Sequence, residues 1–159
     1  MRKAVDAGWI EMFRRTQKPE EFKTGSLFPG RGESGSGTYV YARRPGSTTS
    51  PDTLRKAAEH YATPGSDDPG DVIHMAMHPH ALTTDLRSLT AKRDKELESI
   101  RAELDMEPQK SAKRTALEER MDVISDVGRY GAIQGWDAYW VNDSNIAVVL
   151  NRTALIVKL

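Results

Sequence analysis

The chain contains no cysteine, which excludes disulfide bonds and thiolate metal sites. No apolar run approaches about 18 residues, so the sequence has no pattern for a membrane-spanning helix. A basic excess is missing too, because 23 lysines and arginines balance 23 aspartates and glutamates. Domains that bind duplex nucleic acid usually carry such an excess. The first residues lack the apolar stretch of a signal peptide, and we expect an intracellular or phage-borne protein.

The length and composition of the chain are those of one small domain. Its 159 residues are 38% hydrophobic and 29% charged. A chain of this length usually folds around one core. The low apolar share predicts a small core surrounded by well-solvated elements. We therefore expect a single domain over residues 1–159.

A glycine-rich stretch is the most informative feature of the sequence. Gly30-x-Gly32-x-x-Gly35 matches the dinucleotide-binding fingerprint, which requires a strand before it and a helix after it. Here the glycines lead into residues 38–43, where alternating Thr-Tyr-Val-Tyr predicts a strand. A phosphate would have no helix N-terminus to bind. The pattern therefore predicts a loop over residues 25–37 and excludes the dinucleotide-binding use of these glycines.

The remaining elements alternate irregularly between strands and helices. Strands are predicted at 11–15, 38–43, 71–78, 136–141, 146–150 and 154–158, and helices at 4–10, 51–62, 84–106 and 110–134. Residues 63–70, rich in Pro, Gly, Ser and Asp, predict a loop. The last two predicted helices are highly charged, which favours a helical hairpin over 84–134 with two solvent-exposed outer faces. This order favours an α+β fold over a doubly wound sheet.

Three histidines raise the question of a metal site. His74, His78 and His80 have the same strand parity, so all three would share one face if the strand predicted at 71–78 continued to His80. Pro79 opposes that continuation, and no carboxylate or cysteine stands at ligand spacing. Histidines on the polar face of a strand whose other face is apolar explain the pattern more simply. We therefore predict no metal.

Three segments, taken in order, resemble an ADP-ribosyltransferase domain. They are Phe13-Arg14, the run from Gly35 to Ala42, and a helix that ends in Glu59-His60-Tyr61-Ala62. The second half of the chain resembles the same family as it occurs in phage minor head proteins and bacterial toxins. The segments of that half are residues 71–77, 127–133, 135–139 and 148–157.

The resemblance implies a fold, a reaction and a setting. The fold would be α+β, with ADP-ribosyltransferase-like split β-sheets, flanking helices and the inserted charged hairpin. The reaction would move ADP-ribose from NAD, as co-substrate, to a macromolecular acceptor, either a protein side chain or a nucleic-acid base. The setting would be the cytoplasm of a bacterial host or a phage virion, with no membrane and no metal involved.

The resemblance also assigns a cofactor-binding set. Arg14 would grip the pyrophosphate or ribose with its planar fork of donors. Tyr39 or Tyr41 would stack on the nicotinamide, since both lie on one side of the strand. Gly37 and Thr38 precede them where backbone amides would approach the ligand closely.

The catalytic position departs from the family pattern. Transfer from NAD passes through an oxocarbenium-like state, which the family usually stabilises with a glutamate at the start of the strand before the terminal hairpin. That position falls on Asn145 or Ile146 here, and Asp143 and Asp137 are the nearest carboxylates that could replace the glutamate. An alternative function therefore stays open, that of a catalytically degenerate accessory or partner-binding module of a phage head protein.

Overall fold

A computed structural model describes residues 1–17, 19–20, 30–61 and 70–158. Residues 25–29 of the predicted glycine loop, Ala62 at the end of the predicted helix and residues 63–69 of the predicted loop lie outside the described residues. The α+β prediction is confirmed. No helix in the described ranges combines the length and apolar character needed to cross a membrane.

Eight strands are found in the described part of the chain. They are β1 (Ile10–Thr16), β2 (Gly30–Gly32), β3 (Gly35–Ala42), β4 (Asp71–Met77), β5 (Thr83–Asp85), β6 (Ala138–Trp140), β7 (Ile146–Val149) and β8 (Leu155–Val157). The helices are α1 (Arg2–Asp6), α2 (Pro51–His60), α3 (Leu86–Met106), α4 (Ala112–Ser125) and α5 (Val127–Ile133), with a 3-10 turn at Arg152–Ala154.

The strands form one mixed sheet in the order β5-β6-β7-β3-β1-β4-β8, with β2 beside β3. Only the β5–β6 pair is parallel among these neighbours. β1 pairs with β4 along its whole length but with β3 at only two positions, Met12↔Ala42 and Phe13↔Tyr41. Beyond Phe13 the two central strands therefore separate, and we call the opening between residues 14–16 and 38–40 the split.

The two faces of the sheet are buried in different ways. One face carries the largest core cluster, in which Met12, Val40, Met75 and Val149 are all almost fully buried. The other face is covered by helices in two places. The helices α3, α4 and α5 pack over Tyr139 and its neighbours, and α2 packs over Phe13. Because side chains alternate along β1 and β3, the position of a residue decides whether its side chain joins the Met12 cluster or packs against the helices.

The helical hairpin differs from its predicted form at one point. The predicted helix at 110–134 is two helices, α4 and α5, separated by Asp126 in an extended conformation. The break has a local cause, because the Asp126 carboxylate accepts a hydrogen bond from Arg129 N at 2.8 Å and so caps a new helix. α3 begins at Leu86, two residues after the predicted start at residue 84, because Thr83–Asp85 forms β5; Asp85 caps the helix by accepting a hydrogen bond from Ser88 N at 2.8 Å.

The predicted glycine loop is wrong in its described part. Gly30–Gly32 and Gly35–Gly37 belong to β2 and β3, which form a tight hairpin with Gly32 opposite Gly35. The alternating pattern that marks a half-buried strand is absent from these residues because glycine supplies no side chain. The sequence therefore gave no periodic signal where the strand begins.

Candidate functional site

Arg14 stands where β1 and β3 part. Its Nη1 donates a hydrogen bond to the Tyr39 carbonyl at 2.8 Å. The guanidinium therefore bridges the two strands at the first position where their pairing has ended. Burial lowers the pKa of Arg14, and the nearby Tyr61 phenol acts in the opposite direction. A partly desolvated guanidinium of this kind binds anions more strongly than one in free solvent.

Two tyrosines lie side by side near the split. The rings of Tyr41 on β3 and Tyr61, directly after α2, meet edge to face, with centroids 6.4 Å apart and an interplanar angle of 65°. Tyr61 is 65% exposed, and Tyr41 is half-buried beside Phe13 and Leu54. Burial raises the pKa of Tyr41, and Tyr61 adds to that effect. The pair offers an aromatic surface that a planar ring can reach from solvent.

Thr38 is the buried polar residue nearest the split. Its side chain is 1% exposed, and its Oγ1 has no hydrogen-bond partner among the described residues. It shares the sheet face of Val40 and, through the strand register, of Arg14. A buried hydroxyl without a partner is unfavourable in a protein interior, so such a group marks a place suited to a polar ligand atom.

Tyr39 serves a different purpose from its neighbour Tyr41. Its side chain points to the sheet face opposite Arg14. Its hydroxyl donates to Gly35 O at 2.7 Å and accepts from Ser34 N at 3.1 Å. The ring lies so close to Gly32 that a Cβ there would stand 2.3 Å from Tyr39 Cζ. Tyr39 is thus held inside the hairpin, and burial raises its pKa.

Gly37 is required for strand packing. Its φ is +151°, and an added Cβ would lie 2.3 Å from Val148 Cγ1 on β7. The absence of a side chain lets β3 and β7 approach, which is a reason unrelated to a ligand. Of the predicted cofactor-binding set, the structure places Arg14 and Thr38 on one sheet face at the split. Tyr41 pairs with Phe13 beside the split, and its side chain lies on the opposite face, as that of Tyr39 does. Tyr39 contributes only its carbonyl to the split.

The β2–β3 hairpin is joined to α5 by the carboxylate of Asp126. Both oxygens of Asp126 accept from Ser36 N at 3.0 Å, and Oδ2 also accepts from Ser36 Oγ at 3.0 Å. Burial alone would raise the pKa of Asp126, yet the hydrogen bonds from Arg129 N, Ser36 and Gly128 N outweigh it and hold the pKa below its usual value. Sequence reasoning missed this residue, although Asp within a helical pattern is a cap signal.

Asn145 occupies the position that the resemblance assigns to the catalytic acid. Its Oδ1 accepts from Arg44 N at 3.3 Å, and its Nδ2 donates to Thr49 Oγ1 at 2.9 Å. Its backbone carbonyl accepts from Ala42 N at 2.9 Å. The side-chain amide therefore holds the loop between β3 and α2 against the start of β7. An amide in this role supplies no negative charge.

The two predicted substitute acids lie in different surroundings. Asp137 accepts from Leu82 N at 2.8 Å and from Asn151 Nδ2 at 2.6 Å, which ties together two turns at the end of the sheet. The Asp143 side chain is 99% exposed, and its carboxylate lies 3.7 Å from Arg44 Nη1. Both carboxylates are thus engaged by residues outside the split.

The contact between Tyr61 and Tyr41 was found only in the structure. Tyr61 belongs to the helix end that carries the resemblance, but no sequence pattern linked it to Tyr41. The two residues are 20 positions apart, one on a strand and one after a helix, so no periodicity relates them.

Among the described residues, no group of three or more histidine, aspartate or glutamate side chains is placed to hold a metal ion. Comparisons of the chain with protein-family models, curated proteins and solved structures found no match.

Proposed function

We propose that the protein is an NAD-dependent mono-ADP-ribosyltransferase, of the phage or toxin type, that modifies a protein side chain or a nucleic-acid base. The split would be its NAD site. The observation that carries the proposal is the position of the Arg14 guanidinium, which donates to the Tyr39 carbonyl and lies near the Tyr61 phenol. The Tyr61 ring in turn contacts that of Tyr41, a residue that the resemblance, like Arg14, assigned to NAD.

The chemistry of these groups suits the substrate. The Arg14 fork matches the oxygens of a pyrophosphate or a ribose. The aromatic pair of Tyr41 and Tyr61 would hold the nicotinamide ring flat. In the reaction the bond between the ribose C1′ and the nicotinamide nitrogen breaks, its electron pair stays on nicotinamide, and the acceptor nucleophile bonds to C1′ as it loses a proton. Positioning by these side chains would supply much of the rate enhancement.

A second candidate function has an observation of its own. Asn145 stands at the position of the usual acid and is engaged by Arg44 and Thr49. A site without a carboxylate there lacks the charge that stabilises an oxocarbenium ion. The domain would then bind NAD or a partner without turnover, as an accessory module of a phage head protein.

The test uses labelled NAD and a bacterial lysate. We expect transfer of label by the wild-type protein and loss of at least about tenfold in Arg14→Ala and in Tyr41→Ala, since each removes one contact worth about 1.4 kcal/mol or more. Lys95→Ala, at an exposed position on α3, is the matched control. Denaturation curves of all variants separate lost binding from lost folding.

The outcomes distinguish the two candidates. An NAD-induced rise in melting temperature without transfer of label would favour the binding module. Asn145→Glu would then be expected to create measurable NAD cleavage. The absence of both NAD binding and NAD cleavage would refute the NAD site altogether.

A further inference from the structure

We draw no further inference here: the strongest candidate, the cavity of about 570 Å³ between α2 and the strands β4 and β8, carries none because its lining has charges of both signs and its histidine, His74, lies 2.6 Å from Glu11 Oε1 in a contact that either protonation state of the ring can make, so nothing in the structure selects a class of ligand.

Discussion

Two regions of one strand, the hairpin end of β3 and the split, differ in how their polar groups are satisfied. At the hairpin end, the Asp126 carboxylate takes up both the amide and the hydroxyl of Ser36, and the Tyr39 hydroxyl takes up two backbone groups. At the split, the Thr38 hydroxyl is buried without a described partner and Tyr61 is exposed. Thr38 lies only two residues beyond Ser36.

This difference indicates that the glycines of the β2–β3 hairpin serve packing. Neighbouring groups already fill the space that their side chains would occupy. Glycines that bind a phosphate would instead leave that space open for the ligand. The residues with polar or aromatic surface to offer a ligand come later along β3, after its pairing with β1 has opened.

The largest expected effect comes from filling the contact between the hairpin and α5. In Gly128→Ala the new Cβ would stand 1.7 Å from Ser36 O, a backbone atom that cannot move aside without the hairpin. We expect the free energy of unfolding to fall by about 3 kcal/mol or more. Urea denaturation measures the change.

Gly135→Ala is the matched control for that variant. Gly135 has a φ of +80° and nothing within 4 Å of an added Cβ, so only backbone strain of about 1 kcal/mol is expected. Equal losses in the two variants would show that the hairpin does not depend on close contact with α5.

The next effect comes from removing the carboxylate that fastens the hairpin. Asp126→Ala leaves Ser36 N and Arg129 N without their acceptor. We expect a loss of about 2 kcal/mol in the free energy of unfolding, from the lost cap and the lost charge-assisted bonds. Asp143→Ala, which removes a fully exposed carboxylate, should change stability by less than about 0.5 kcal/mol.

The same carboxylate should give the protein an acid-sensitive region. Because the pKa of Asp126 is lower in the folded state, its stabilisation is complete above the unfolded pKa, near about 4, and is lost as the pH falls through the folded pKa. Asp126→Asn should therefore show a shallower loss of stability below about pH 4 than the wild type. Denaturation curves measured over that pH range would show parallel slopes if Asp126 were not responsible.

The smallest expected effects compare the two tyrosines of β3. Tyr39→Phe removes a hydroxyl with two hydrogen bonds and should cost about 1 kcal/mol. Tyr41→Phe keeps the ring and loses no hydrogen bond found among the described residues, so stability should change by less than about 0.5 kcal/mol. A larger loss in Tyr41→Phe than in Tyr39→Phe would reverse the comparison.

Most elements were predictable because their signals are local. Ser50 and Pro51 fix the start of α2, and Ser50 Oγ does accept from Thr53 N at 3.2 Å. The alternating pattern of residues 71–77 fixes β4 and its faces. The break at Asp126 was missed because the apolar spacing continues across it, so periodicity alone predicted one long helix.

The candidate site was predictable only in part. Arg14 and Thr38 lie on one face of the sheet and Tyr41 on the other, and their role in binding NAD stays a prediction. The sheet face of Tyr39 relative to Arg14 was not predictable, because it depends on the register between β1 and β3, which a one-residue shift would reverse. The engagement of Asn145 by Arg44 and Thr49 depends on a loop that folds back across about a hundred positions of sequence.

By itself the sequence determined the α+β composition, the charged hairpin and the residue types available to the site, because spacing and capping act within a few residues. The tertiary structure alone decided where the sheet opens, which tyrosine stays accessible and that His74 meets Glu11. Those outcomes depend on strand pairing between distant segments, and pairing register is set by the packing of the whole sheet and not by any one strand.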